Sequence, residues 1–193
     1  MTNSKISDQQ AMEAVKTLIS WIGDDPNREG LVETPKRVIN AYREFFSGYD
    51  LDAKDVLGKV FEEVGNYDEI VIVRDIRLES HCEHHMVPII GKIHIGYIPN
   101  KRVVGISKLA RLADIYAKRL QTQETMTAQI AHDLQTILEP KGVAILCDAA
   151  HQCMTTRGVH KISSSTITTQ MTGIFKEDYK RREEFLRLIS LEK

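Results

Sequence analysis

Residues 69–98 read EIVIVRDIRLESHCEHHMVPIIGKIHIGYI and contain two strand patterns separated by a short polar segment. Residues 69–78 are rich in β-branched side chains, and residues 89–98 alternate between two faces. The alternating positions are Ile93, Ile95 and Tyr97 on one face and Lys92, His94 and Gly96 on the other. Because residues 80–88 are too few for a crossover, the pattern predicts an antiparallel hairpin.

The residues after this hairpin predict two helices, two more strands and a final helix. Ser107 can cap the first helix, and Pro140 ends the second. Strand patterns return at residues 143–154 and 164–173, before a charged helix at 178–191. Helices grouped beside antiparallel hairpins indicate an α+β fold, not a doubly wound parallel sheet. A four-stranded sheet has two open edges, so we expect pairing with other subunits.

The N-terminal third predicts helices only. Ser7 and Gln10 form a capping box before one apolar stripe, and Thr34-Pro35 starts a second helix. We therefore expect an N-terminal helical extension at residues 1–65 and an α+β domain at 66–193, together forming one compact unit.

Composition excludes several classes of protein. The chain has 193 residues, with 26 Lys and Arg against 27 Asp and Glu, which argues against a nucleic-acid binder. No apolar run is long enough to span a membrane, and no export signal is evident. Cys82, Cys147 and Cys153 favour a reducing, cytoplasmic compartment, although a disulfide between Cys82 and Cys153 is a chemical alternative.

The segment Ser80-His81-Cys82-Glu83-His84-His85 is dense in groups that bind metals. Cys82 and His85 have the C-x-x-H spacing with which a tight turn presents sulfur and nitrogen to one ion. The alternative is a polar hairpin loop with a buried thiol.

A second pair of such groups lies at the end of the strand pattern 143–154. His151 and Cys153 are two residues apart, so on a continuous strand both would project from one face. A histidine and a cysteine there interrupt an otherwise apolar face. The alternative is a hydrogen-bonded core histidine beside an inert cysteine.

Cys82, His85 and Cys153 together form a Cys₂His set. Three such ligands with one open position match catalytic zinc, whose bound water has a pKa lowered to about 7. His84 and His151 can then transfer protons near neutrality. Alternatively, one of these two histidines is a fourth ligand and the site is structural.

Cations cluster where the first middle helix begins. Ser107, Lys108 and Arg111 lie in its first turns, and Arg157 follows Cys153 by four residues. A helix N-terminus with a hydroxyl and cations is typical of a polyphosphate site, although exposed lysines and arginines are usually only solvated charges.

Gln123 and Glu124 lie in the predicted break between the two middle helices. A carboxylate there can accept paired N–H groups, such as those of a guanine edge. An exposed glutamate has many other uses.

Taken together, these motifs resemble GTP cyclohydrolase I from about residue 10 to the end of the chain. The matching segments are residues 33–37, 82–85, 91–92, 97–99, 105–111, 121–124, 151–154, 157–158 and 182–186.

The resemblance implies a tunnelling fold, in which ββααββ units with helices on one face pair around a barrel. It implies a homodecamer of two stacked rings, with sites at subunit interfaces. It implies Zn²⁺ on Cys82, His85 and Cys153, and conversion of GTP to 7,8-dihydroneopterin triphosphate and formate. This reaction begins folate or tetrahydrobiopterin synthesis.

The resemblance also implies residue roles. Glu124 would anchor the guanine, with Gln123 beside it, and His151 would donate a proton to N7. His84 would assist ribose opening, and Ser107 the later rearrangement. The residues implied for the triphosphate are Lys108, Arg111 and Arg157, with Arg37 from a neighbouring subunit.

Two other functions remain open at this point. One is a related pterin or deazapurine enzyme that uses Cys82 as a metal-free nucleophile. The other is a zinc-stabilised module that binds a nucleotide without turning it over.

Overall fold

The structure is a computed structural model that describes residues 6–58, 60–62 and 67–191. The chain divides into two units, Met1–Ser47 and Gly48–Lys193. All predicted strands lie in the second unit. The division at residue 65 between extension and catalytic domain stays a prediction.

The first unit is built from two helices that pack against each other. α1 (Asp8–Trp21) begins at the predicted capping box, in which Ser7 and Gln10 each bond the other's backbone N–H. α2 (Thr34–Phe45) carries Pro35 in its first turn, where a missing N–H costs nothing. Both predicted helices are confirmed.

The central hairpin of the second unit is confirmed. β2 (Val71–Cys82) runs antiparallel to β3 (Pro88–Ile98), and Val73 pairs with Ile95. A bulge follows Val73, where Asp75 has a φ of 57°. Aspartate tolerates this left-handed conformation better than most residues.

Among the described residues, the main sheet consists of β5 (Leu120–Gln121), β2, β3, β6 (Gly142–His151) and β7 (Thr166–Met171), in that order. β6 runs antiparallel to both β3 and β7. β5 is a short strand that pairs in parallel with β2. A separate ribbon joins β1 (Val60–Phe61) to β4 (Val103–Val104).

Two helices lie between the hairpins in sequence and pack on the sheet. α4 (Ile106–Ala117) contacts β2, and α5 (Gln123–Leu138) contacts β6 and β7. A 3₁₀ turn at Ser47–Asp50 precedes α3 (Ala53–Leu57), which packs on α4 and α5. The buried side chains between helices and sheet include Leu78, Ile93, Ile95, Tyr97, Leu109, Leu112, Met126, Ile130, Leu134, Val143, Ile145 and Cys147.

The C-terminal part of the chain adds α6 (Gln152–Thr155), α7 (Ile174–Glu177) and α8 (Tyr179–Ile189). Phe185 of α8 packs over Gly96, where an added Cβ would lie 2.9 Å from the Phe185 ring. The described helices include none that is both long and apolar enough to cross a membrane.

Two predictions for the middle helices are wrong. Ser107 is not a cap: Gly105 takes the cap position, so Ser107 is the second residue of α4 and is exposed. Gln123 and Glu124 lie in the first turn of α5, not in a break. Here the Thr122 hydroxyl caps the helix by accepting the Thr125 N–H at 3.2 Å.

Candidate active site

The turn between β2 and β3 presents the first two predicted metal ligands. Cys82 ends β2, and its N–H and C=O bond Val87 at 2.9 Å and Met86 at 2.8 Å. These two bonds close the turn, so Nδ1 of His85 lies 3.9 Å from Sγ of Cys82. Cys82 is buried and His85 is exposed, so the site lies at the boundary between the core and solvent.

β5 holds this turn from the side. Gln121 pairs with Cys82, and the Glu83 N–H donates to the Gln121 carbonyl at 3.1 Å. The Gln121 side chain is buried and donates to the Tyr116 carbonyl at 3.0 Å. The sequence analysis gave Gln121 no role. The only feature that could have pointed to it is its place in the segment 121–124, one of those that carry the family resemblance.

Cys153 reaches the site from a helical turn, so the prediction of a continuous strand over 143–154 is wrong. β6 ends at His151, because its partner β3 begins at Pro88 and proline has no N–H to extend the ladder. Cys153 therefore lies in α6, and the turn brings its sulfur to Cys82.

The three predicted ligands come together in a group that could hold a metal ion. One donor atom from each of Cys82, His85 and Cys153 lies within 4.8 Å of the other two. Around a tetrahedral zinc such atoms would be about 3.6–3.8 Å apart, given bonds of about 2.0–2.3 Å. Two sulfurs and one imidazole are donors that zinc prefers. All three cysteines are free thiols, so the disulfide alternative is not formed.

The surroundings of Cys153 disfavour its thiolate unless a cation is near. Burial and the adjacent Cys82 raise the pKa of the Cys153 thiol, while Arg157 acts in the opposite direction. Metal binding requires deprotonated sulfur, and a divalent ion supplies the compensating charge.

His84 lies beside the three-donor group but outside it. Its Nδ1 is 3.7 Å from Sγ of Cys82, and its Nε2 is 3.8 Å from a carboxylate oxygen of Glu83. Within the described residues, the group of converging donors contains neither His84 nor His151. His84 is therefore a neighbour of this group and not one of its converging donors.

His151 is held by Gln123. Nε2 of His151 lies 2.8 Å from Oε1 of Gln123, which is completely buried. Burial lowers the pKa of His151, and the nearby Glu124 carboxylate opposes that shift. The imidazole is thus neutral more readily than a free histidine would be.

The predicted cations occupy different places. Nη1 of Arg157 lies 2.9 Å from Nε2 of His85, which puts Arg157 at the metal ligands. Nζ of Lys108 donates to the Val56 carbonyl at 2.7 Å, at the end of α3. Arg111 is exposed on α4.

The remaining predicted site residues all lie on helices. Ser107 and Glu124 are exposed in the first turns of α4 and α5. Arg37 lies on α2 in the first unit.

Comparisons with known proteins show which family this chain resembles. The sequence model of the family described as GTP cyclohydrolase I matches residues 11–190. A GTP cyclohydrolase 1 from Maricaulis maris is 59% identical over 187 residues, covering 97% of this chain and 91% of the relative. One from Allorhizobium ampelinum is 56% identical over 186 residues, covering 96% and 92%. One from Pelagibacter ubique is 52% identical over 190 residues, covering 98% and 94%.

Among solved structures, an archaeosine synthase QueF-like protein in the apo form aligns with 54% of this chain and 93% of its own. Its TM-score is 0.45 and its identity 17%. The strand and helix order described above is that of an α+β unit, in which α4 and α5 pack on the five-stranded sheet. Because the family model matches residues 11–190 and these relatives are 52–59% identical, the chain belongs to the GTP cyclohydrolase I family.

Proposed function

We propose that this chain hydrolyses GTP at C8 of the purine and yields 7,8-dihydroneopterin triphosphate and formate. Two waters are consumed in opening the imidazole ring and releasing formate, and one is returned when the pterin ring closes. The observation that carries the proposal is the convergence of Cys82, His85 and Cys153. The reaction is the entry step to folate or tetrahydrobiopterin synthesis.

Cys82, His85 and Cys153 would hold the metal ion, which we propose to be Zn²⁺. When bound, the ion would act as a Lewis acid and lower the pKa of a water molecule to about 7. Three protein donors leave a position for that water, as is typical of catalytic zinc. The buried thiol of Cys82 and the half-buried thiol of Cys153 form the inner wall of the site.

His151 would donate a proton to N7 of the purine. It is close in sequence to Cys153, and its ring is fixed by the short contact with Gln123. A histidine that is easily neutral can both give up and recover a proton near pH 7. His84, exposed beside Cys82, would assist opening of the ribose, and Ser107 the later rearrangement of the sugar.

Glu124 would bind the guanine base. Its side chain is exposed in the first turn of α5, so its carboxylate is free to accept N1–H and an N2–H of the base. Gln123 beside it is also a predicted base contact. In this structure its carboxamide contacts protein groups, which leaves Glu124 as the side chain that faces solvent.

Arg157, Arg111 and Lys108 would bind the triphosphate. Arg157 and Arg111 are exposed, whereas Lys108 would first release the Val56 carbonyl. Arg37 would contribute from a neighbouring subunit. Several cations are needed because a triphosphate carries about four negative charges near neutrality.

We further propose a homodecamer in which five sheets close into each barrel. The outer edge of β7 has no neighbouring strand among the described residues, and open edges favour pairing. Val159, Ile162 and Ile167 are exposed apolar side chains that a second subunit would cover. A cytoplasmic location is consistent with the three free thiols.

One incubation tests this function. Purified, zinc-loaded protein with GTP should release formate, and a fluorescent pterin should form after oxidation of the product. GTP recovered intact but bound would identify the non-catalytic module instead. Turnover without metal, abolished by alkylation of Cys82, would identify a cysteine-nucleophile enzyme and contradict the proposal.

A further inference from the structure

The side-chain amide of Gln123 has one possible orientation. Its Nε2 lies 3.2 Å from the Cys147 carbonyl, 2.8 Å from the Thr166 carbonyl and 3.1 Å from the Thr168 hydroxyl. Carbonyl oxygens only accept hydrogen bonds, so the atom that faces them must be the NH₂ group. The amide oxygen therefore points to the opposite side.

That oxygen meets His151. Oε1 of Gln123 lies 2.8 Å from Nε2 of His151, and an amide oxygen can only accept. Nε2 must therefore carry a hydrogen. In a neutral imidazole the second nitrogen, Nδ1, then holds the lone pair.

We infer that Gln123 is a positioning residue, which holds neutral His151 in the Nε2–H form and leaves Nδ1 as the nitrogen available to substrate. The inference rests on the proposed role of His151 at the purine. The same Nε2–H bond exists in the charged and neutral rings, so Gln123 does not have to move when Nδ1 gives up its proton. Nε2 of His151 is therefore bonded to Gln123 in both protonation states and is not available to the substrate.

Further hydrogen bonds hold Gln123 and its partners in place. The Thr127 hydroxyl donates to the backbone carbonyl of Gln123 at 2.7 Å. The same hydroxyl lies 2.7 Å from the Thr168 hydroxyl. The buried side chains of Gln123 and Thr127 thus form a connected network with the half-buried Thr168 and with carbonyls of β6 and β7. Buried polar groups with full sets of partners fix one arrangement, because any other leaves a group unpaired.

A merely structural role makes a different prediction. If Gln123 served only to bond the carbonyls of Cys147 and Thr166, its oxygen would be unimportant. Gln123→Glu and Gln123→Met both lose the NH₂ group, but only glutamate keeps an oxygen that can accept from His151. Whether ionised or protonated, it offers that oxygen.

The test is the hydrogen position on His151, measured by solid-state NMR of ¹⁵N-histidine-labelled, zinc-loaded protein at a pH where the ring is neutral. The His151 signals are those absent from His151→Gln. We expect Nε2–H in the unaltered chain and in Gln123→Glu, and a mixture in Gln123→Met. Thr168→Val, which removes only one partner of the Gln123 NH₂ group, should keep Nε2–H.

Formate release gives the second readout. Gln123→Met should lose about 10²-fold in kcat, the lower end of what acid–base catalysis contributes, and Gln123→Glu should retain more than Gln123→Met. Equal losses in both variants with unchanged His151 signals would overturn the inference, as would Nδ1–H in the unaltered chain. Nε2–H in a chain that makes no formate would instead overturn the proposed function, and the assignment of the hydrogen would stand.

Discussion

Nη1 of Arg157 lies 2.9 Å from Nε2 of His85, so a predicted phosphate ligand contacts a predicted metal ligand. A guanidinium only donates hydrogen bonds, and Nε2 must therefore accept with its lone pair. The other ring nitrogen then carries the hydrogen. Because a neutral imidazole has one free lone pair, a metal ion on either nitrogen of His85 excludes this hydrogen bond.

Metal loading should therefore release Arg157 from His85. Crystals grown at one pH with Zn²⁺ and after chelation should differ in the distance from Nη1 to Nε2. We expect separation beyond about 3.5 Å, the limit of a useful hydrogen bond, when the ion is bound. A loaded structure in which His85 ligates the ion and still accepts from Arg157 would contradict this reasoning.

Glu124→Gln should weaken selection of the base. The substitution replaces one acceptor with a donor that faces the N–H groups of guanine, so kcat/KM for GTP should fall by about 10–100-fold. Inosine triphosphate, which lacks the 2-amino group, should be affected less. Glu139→Gln, an exposed glutamate at the other end of α5, is the matched control and should leave both substrates unchanged. An equal effect of Glu124→Gln on both substrates would argue against a contact with the 2-amino group.

His94 should make folding stability depend on pH. It is buried, its Nδ1 accepts the Asp75 N–H at 3.2 Å, and burial lowers the pKa of its ring. The unfolded chain, with a pKa of about 6.5, binds the proton more readily. Stability is thus lost as pH falls below that value.

Urea unfolding at pH 7.5 and 5.5 measures this effect. His94→Asn keeps an acceptor near the position of Nδ1 but does not titrate, so it should lose less stability between the two pH values than the unaltered chain. Equal losses in both proteins would remove His94 from the account.

Gly96→Ala should destabilise the second unit. The new Cβ would lie 2.9 Å from Cδ2 and 3.0 Å from Cε2 of Phe185, whose buried ring has little room to move. Overpacking of this kind costs about 1–3 kcal/mol, measurable by urea unfolding. Gly105→Ala is the comparison without a clash, since a Cβ there meets nothing within 4 Å, and it should lose less stability, through alanine's weaker capping of α4 alone. Equal small losses in both would show that the sheet yields at Gly96.

Local sequence patterns were enough to predict the hairpin of β2 and β3. They also predicted that the side chains of Cys82 and His85 lie close together in its turn. Alternation with period two and a four-residue ligand spacing are properties of neighbouring residues. The capping box of Ser7 and Gln10 was predictable for the same reason.

The misplaced elements depend on partners far along the chain. β6 stops at His151 because β3 begins at Pro88, which residues 143–154 alone do not reveal. Gln123 resembles an exposed polar residue until carbonyls from Cys147 and Thr166 surround it. The two-residue strand β5 is too short for any pattern, and only its pairing with Cys82 defines it.

Zinc content and formate release of Cys153→Ala, measured on the same samples, test the central claim that two thiols and an imidazole hold the catalytic ion. Cys147→Ala is the matched control, because that thiol is buried in the core away from the three donors. We expect Cys153→Ala to lose zinc and formate release together, while Cys147→Ala keeps both if it folds. Full turnover by Cys153→Ala would contradict the account.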